Sequence, residues 1–333
     1  MSKINTAVVG ATGAVGREII KILEEKDFPV DKLKLFATEK SKGKKLEFRE
    51  KKYKVDTIEK GSFKDIDIAL FSIGSTPSKE IVPQVVEEGA TVIDNSNAFR
   101  MDKEVPLVVP EINPEEIKNH NGIIANPNCS TIQMVLALKP IYEEAGIKRI
   151  VVSTYQAVSG TGKKAIDELK KQVEAYVKGN EIKSEVYPHQ IAFNVLPHID
   201  VFYDNGYTKE ELKLVRETKK ILDDSSIAVS STAARIPVFY GHAESINIET
   251  KKKLETKSII KLLKNTEGVE VVDDPEKSIY PLPVDSENND KVMVGRIRED
   301  FSIENGINLW VVANNLRKGA ALNAVQIAEN IVY

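Results

Sequence analysis

The chain has 333 residues, 41% hydrophobic and 29% charged, with 47 lysines and arginines against 50 acidic residues and a single cysteine. At roughly 100–200 residues per domain, that length provides for two domains, each able to bury a core. A net charge of −3 lacks the basic excess of a nucleic-acid binder, and one cysteine can form neither an internal disulfide nor a cysteine-rich zinc site.

No apolar run approaches the ~18 residues needed to cross a bilayer. The first ten residues enter a strand pattern at once and leave no room for a signal peptide, so a soluble, cytoplasmic protein without membrane partners is expected. Up to residue 128, short β-branched runs at 4–9, 33–37, 66–72, 91–94, 107–110 and 123–126 alternate with amphipathic helices at 17–26 and 77–88. That alternation implies right-handed crossovers and a Rossmann-type, doubly wound parallel sheet of the α/β class. The lysine-rich run 42–54 reads as a solvated loop or as protection of a sheet edge.

The texture changes at residue 129. Strands are expected at 148–157, 192–195, 227–236, 244–250, 292–298 and 307–314, with helices at 163–177, 209–222 and 257–264. Fewer helices between longer strands suggest a second, α+β domain on an antiparallel or mixed sheet. The last segment, 318–331, has helical spacing and is expected to return to the first domain. The division expected is therefore 1–128 with 316–333, and 129–315.

Gly10-Ala11-Thr12-Gly13-Ala14-Val15-Gly16 follows a strand and opens a helix. Such a turn brings the backbone close to a pyrophosphate and aims free N–H groups at it, so Gly10, Thr12, Gly13, Ala14 and Val15 are candidate dinucleotide contacts. A glycine-rich loop without a ligand is the alternative. After the second strand, 38–44 holds Lys40, Lys42 and Lys44 with Thr38 and Ser41, which suits a 2′-phosphate and hence NADP. Thr38, Lys40 and Ser41 are the candidates there, while Glu39 leaves NAD open.

Asn126-Pro127-Asn128-Cys129-Ser130-Thr131 precedes an apolar-periodic helix. A cysteine at a helix start has its thiolate stabilised by the dipole and becomes nucleophilic. A buried structural cysteine is the alternative, but its flanking Asn and Ser are polar. The chain has four histidines, of which His189 and His198, beside prolines, read as structural or as supports of the site, and no cluster spaced for a metal.

These blocks, with Tyr155-Gln156-Ala157-Val158-Ser159-Gly160-Thr161-Gly162, Ala192-Phe193-Asn194-Val195, Arg235-Ile236-Pro237-Val238 and Asn315-Leu316-Arg317-Lys318-Gly319-Ala320-Ala321, resemble those of bacterial aspartate-semialdehyde dehydrogenases along the whole chain. The resemblance implies an NADP-dependent oxidoreductase that converts L-aspartate 4-semialdehyde and inorganic phosphate reversibly to L-4-aspartyl phosphate. It serves lysine, diaminopimelate, threonine and methionine biosynthesis. Cys129 would form a thioester, His242 would handle protons, and Gln156 would orient the substrate. Arg235 would grip the α-carboxylate and Glu210 the ammonium. Arg100, Lys213 and Asn128 would bind phosphate, while Ser159, Gly160 and Asn315 would border the nicotinamide half of NADP. The second domain would be catalytic and would form a homodimer, possible further association giving a dimer of dimers. Alternatives are an N-acetyl-γ-glutamyl-phosphate reductase, disfavoured by Asn128 and Ser130 around the cysteine, and a catalytically silent binding paralogue.

Overall fold

The computed structural model describes residues 3–333. The chain divides into two compact units, Met1–Asn128 with Ala320–Tyr333, and Cys129–Gly319.

The first unit contains β1 (Ile4–Val9), α1 (Ala14–Glu25), β2 (Val30–Phe36), β3 (Lys45–Phe48), β4 (Lys51–Asp56), β5 (Ile68–Phe71), α2 (Ser75–Glu87), β6 (Thr91–Asp94) and β7 (Ile123–Ala125). They form one sheet in the order β3-β4-β2-β1-β5-β6-β7, parallel except for the β3–β4 pair. From β1 the chain steps to β2 on one side and later to β5 on the other. This is the topological switch at which such sheets bind ligands. One sheet face buries Val8, Leu35 and Leu70 against Ile19, Ile22 and Leu23 of α1 and Val325 and Ile327 of the C-terminal helix Leu322–Val332. The other buries Val9, Phe71 and Val92 against Val82 and Val85 of α2. Each such aliphatic side chain contributes about 1.5–3 kcal/mol when withdrawn from water.

One expectation is corrected here. The run 107–110 is no strand: only Leu107 bridges to Ala125, because Pro106 and Pro110 flank it and proline supplies no N–H to a ladder. The lysine-rich run, read as a loop or as protection of a sheet edge, forms the edge hairpin, turned at Arg49 and Glu50, both with positive φ as a two-residue hairpin loop requires.

The second unit contains α3 (Cys129–Ala145), β8 (Ile147–Gln156), α4 (Lys163–Val177), α5 (Lys209–Ile221), β9 (Ala228–Arg235), β10 (His242–Thr250), α6 (Thr256–Lys264), β11 (Val269–Val271), β12 (Val292–Asp300) and β13 (Gly306–Ala313). Its mixed sheet runs β11-β12-β13-β10-β8-β9. One face carries the buried alternate residues Ile150, Val152, Ile246, Ile248 and Leu309, and α3 and α5 lie over it. The opposite face carries Tyr155, Met293 and Trp310. The run 192–195 is a turn rather than a strand, with Phe193 at φ 59° and exposed. The short β11 has too few residues to show a period. At the C-terminal end, a π-helical turn over Arg317–Ala321 precedes the last helix, so the return to the first unit begins at Ala320 instead of residue 316.

Among the described residues, no helix is long and apolar enough to cross a membrane. None of their His, Cys, Asp and Glu side chains group in threes to hold a metal ion.

Candidate active site

In the first unit, β1 runs into Gly10 at φ 83°, where any Cβ would collide with the Ser72 carbonyl. Gly16 packs as closely on the Gly10 carbonyl, which lets α1 sit down on the turn. Gly13 caps α1 without a side-chain hydrogen bond, and the first turn holds no acidic residue. Thr12, Ala14 and Val15 therefore surround a helix start whose N–H groups suit an anion. Thr12 Oγ1 donates to Ser41 Oγ at 3.2 Å, and Lys44 Nζ donates to the same oxygen at 3.4 Å. This joins the turn to the segment after β2. Thr38 and Lys40 are exposed beside it, and Lys42 holds Glu39 at 3.4 Å in solvent. The uncapped turn, the absent Cβ atoms and the Ser41–Lys44 pair fit a dinucleotide phosphate. Arg17, whose Nε donates to the Thr12 carbonyl at 3.2 Å, and Lys44 are additions to the candidates. Arg17 gives no sequence signal, since basic residues are common on exposed helix faces.

Also in this unit, Arg100 is buried at the ends of β6 and β7. Its Nε donates to the Asn126 carbonyl at 2.9 Å and its Nη2 to that of Asn95 at 2.7 Å. Asn128 is buried too.

In the second unit, strand register assembles the site. Gln156 pairs with Arg235 across β8 and β9, and Ala243 pairs with Tyr155 across β10 and β8. Continuing that register by one residue sets His242 beside Gln156. Arg235, Gln156 and His242 thus form the terminal row of one sheet face. α3 lies over the same sheet and begins at Cys129, which is half-buried and therefore reachable. The first-turn amides of α3 favour the thiolate.

The row is bound internally. Gln156 Nε2 donates to Glu210 Oε1 at 3.0 Å, and Lys213 Nζ donates to Glu210 Oε2 at 2.8 Å and to Asp200 Oδ2 at 3.1 Å. Glu210 and Lys213 stand one turn apart near the start of α5, which a capping box of Thr208 and Glu211 secures. Arg235 Nη1 donates to the Ala157 carbonyl at 2.8 Å, while its buried Nε has no protein partner. That orphaned donor suits an anionic oxygen.

His242 is fully buried. The Ala157 N–H donates to its Nδ1 at 3.1 Å, which assigns the neutral ring's proton to Nε2, and Nε2 has no protein partner. Burial, then the Arg235 charge, lowers its pKa to about 3, against the opposing Glu210 charge and a Gly241 backbone contact. The ring therefore presents an N–H donor, not an imidazolium.

Gly160 faces both groups: a Cβ there would lie 2.9 Å from Arg235 Nη1 and 3.3 Å from His242 Nε2. The Asn315 amide is engaged, accepting the Gly241 N–H at 3.0 Å and donating to Ser159 Oγ at 3.0 Å, so it braces the turn before His242. Of the other histidines, His120 Nδ1 accepts the Gly122 N–H, His198 stacks on Phe202 and His189 is exposed. Sequence reasoning missed Gln133 of α3 and Glu244 of β10, both buried, because a lone polar residue in an apolar pattern resembles a surface position.

A dinucleotide-type turn in the first unit is the mark of a nucleotide-dependent oxidoreductase. The semialdehyde dehydrogenase NAD binding domain matches residues 5–120, and the semialdehyde dehydrogenase dimerisation domain matches residues 138–318. Aspartate-semialdehyde dehydrogenase of Aquifex aeolicus is 59% identical over 98% of this chain and 97% of its own. The crystal structure of Vibrio cholerae aspartate semialdehyde dehydrogenase II complexed with ASA superposes with a TM-score of 0.97 at 49% identity, covering 100% of this chain and 99% of that one. The Candida albicans aspartate semialdehyde dehydrogenase with NADP gives 0.78 at 27% identity, covering 99% of both. The chain belongs to the aspartate-semialdehyde dehydrogenases, NADP-dependent oxidoreductases of amino-acid biosynthesis. Neither the acetylglutamyl nor the silent-paralogue alternative is favoured.

Proposed function

We propose that Cys129 carries the reaction through a thioester, with inorganic phosphate as the second substrate and L-4-aspartyl phosphate as the product. The carrying observation is the terminal row Arg235–Gln156–His242 on the face over which the Cys129 helix lies. Arg235 Nε and Nη2 take the substrate α-carboxylate in the planar fork that guanidinium offers. Glu210, charged and locked between Gln156 and Lys213, receives the α-ammonium, and Gln156 orients the aldehyde.

Cys129 Sγ then attacks the aldehyde carbon; a C–S bond forms and the C=O electron pair moves to oxygen. His242 Nε2–H donates to that oxyanion. NADP, held by the turn at Gly10, Thr12, Gly13, Ala14 and Val15 and by Thr38, Lys40, Ser41 and Lys44, supplies the hydride acceptor when bound. As the carbon gives up its hydride, C=O re-forms and a thioester remains. Ser159 and Gly160 would border the nicotinamide half of NADP. Lys213 and Arg100 would supply positive charge to phosphate and Asn128 an amide donor; a phosphate oxygen attacks the thioester carbon and releases the Cys129 thiolate. The Ala157 N–H donated to Nδ1 supports reading His242 as a donor to the oxyanion rather than as the proton shuttle first expected.

The unit matched by the dimerisation domain carries a partly exposed face with Tyr155 and Trp310, which supports assembly into a homodimer, with pairing of dimers as a further step. A working thiolate also suits a reducing cytoplasm. To test the function, the protein is mixed with aspartate semialdehyde, phosphate and NADP, and NADPH is followed by its absorbance. Turnover that requires phosphate is expected; turnover of N-acetylglutamate semialdehyde in its place overturns the proposal.

A further inference from the structure

One buried acid stands outside this machinery. Glu244 is two residues after His242 on β10 and therefore points to the same face, one row further in. Its row is given by register: Thr154 pairs with it on β8, and Val311 on β13. From α3, Ser130 and Gln133 face its carboxyl. None of these four neighbours carries a charge, and the nearest ionisable group on its own strand, His242, is kept neutral by burial.

The hydrogen bonding around it is lopsided. Both Glu244 carboxyl oxygens are fully buried without a hydrogen-bond partner, and so is Gln133 Oε1. Gln133 Nε2 meanwhile donates to the His242 carbonyl at 3.4 Å. Three acceptor oxygens thus share a dry pocket in which the Ser130 hydroxyl can donate to no more than one of them, an arrangement costly for an ionised carboxylate. One proton on the carboxyl supplies a further donor. Gln133 lies four residues beyond Cys129, on the same face of α3, so whatever fixes its amide also fixes the turn that carries the nucleophile.

We propose that Glu244 is a positioning residue of this site: a neutral buried acid whose O–H donates to Gln133 Oε1 and so ties the first turn of the cysteine helix to the histidine strand. The inference rests on Cys129 being the nucleophile, but its test does not. An ionised Glu244 would place a negative charge under the thiolate and hold its pKa up. A neutral acid bonds the amide without that penalty. Burial favours the neutral form as well, pushing the carboxyl well above its usual range, while Gln133 and Ser130 oppose.

Two readouts test this on the full-length protein. An infrared difference spectrum of wild type minus Glu244→Gln near neutral pH should contain a protonated carboxylic C=O band. A carboxylate band in its place overturns the proposal. Cys129 is the chain's one cysteine, so alkylation by iodoacetamide across pH titrates that thiol alone. Glu244→Gln, whose NH2 group can still donate to Gln133, should leave the alkylation titration superimposable on wild type. A downward shift means that a charge has been removed and the idea fails. Glu244→Ala should displace the titration upward and lower kcat about 10-fold or more, as a loosened nucleophile would. An unchanged titration and kcat in a folded Glu244→Ala protein would also sink it. If that variant does not fold, the infrared band and the Glu244→Gln titration decide. Failure of the semialdehyde assay leaves both measurements interpretable, so the two conclusions are separable.

Discussion

Gln156 Nε2 donates to Glu210 Oε1 at 3.0 Å, across 54 residues of sequence, and joins the end of a strand to the start of a helix inside the second unit. Because Lys213 takes the other oxygen, the carboxylate is held at both ends and cannot swing away from a bound ammonium. Glu210→Gln removes the charge but keeps the volume. KM for the semialdehyde should rise about 10–100-fold, as for a lost charge-assisted contact, with NADP affinity unchanged. Steady-state kinetics and a separate NADP titration measure the two quantities, and an equal loss in both would discredit the assignment.

Cys129→Ser should lower turnover by about 1,000-fold or more, since an alcohol at a helix start is a far weaker nucleophile than a thiolate. Binding of NADP, measured by quenching of the single tryptophan or by calorimetry, should stay within a factor of about two. Activity retained in this variant excludes a thioester.

His242 and Glu244 should tilt stability in opposite directions with pH. The folded histidine has a pKa of about 3 against an ordinary 6.5, so between those values only the unfolded chain binds the proton. Its contribution is fully present above 6.5 and is lost as pH falls toward 3, at up to about 1.4 kcal/mol per pH unit. Glu244 is raised above 4.5, so its contribution is full below that value and is lost as pH rises through the folded pKa. Urea midpoints across pH should show wild type losing ground to His242→Gln on the acid side and to Glu244→Gln on the alkaline side.

Lys44 shares the Ser41 hydroxyl with Thr12 and stands at the position suited to a 2′-phosphate. Lys44→Ala should weaken NADP by about 5–10-fold and leave NAD nearly unchanged, which parallel KM measurements read directly. Equal weakening of both would place the lysine elsewhere.

Gly160→Ala puts a methyl group 2.9 Å from Arg235 Nη1 and 3.3 Å from His242 Nε2. Both groups must retreat, so kcat should fall about 10–100-fold while the thermal midpoint changes little. An unaffected kcat would mean that this space is not part of the site.

Local pattern alone identified the long helices and most strands, though not the hairpin β3–β4 or the short β11, because burial on one face writes a period of 3.6 or 2 into the residues themselves. The glycine turn and the cysteine at the head of its helix were readable for the same reason: each is complete within a few residues. The run 107–110 misled because its β-branched content resembles a strand, whereas pairing also needs the N–H groups that its prolines lack. No pattern could place Arg235, Gln156 and His242 in one row, since that depends on the register between strands far apart in the chain. The same holds for Glu244, an ordinary acidic residue in the sequence. Its position opposite Thr154 and beneath α3 takes it out of water, and burial, not residue type, settles whether a carboxyl is a charge or a hydrogen-bond donor.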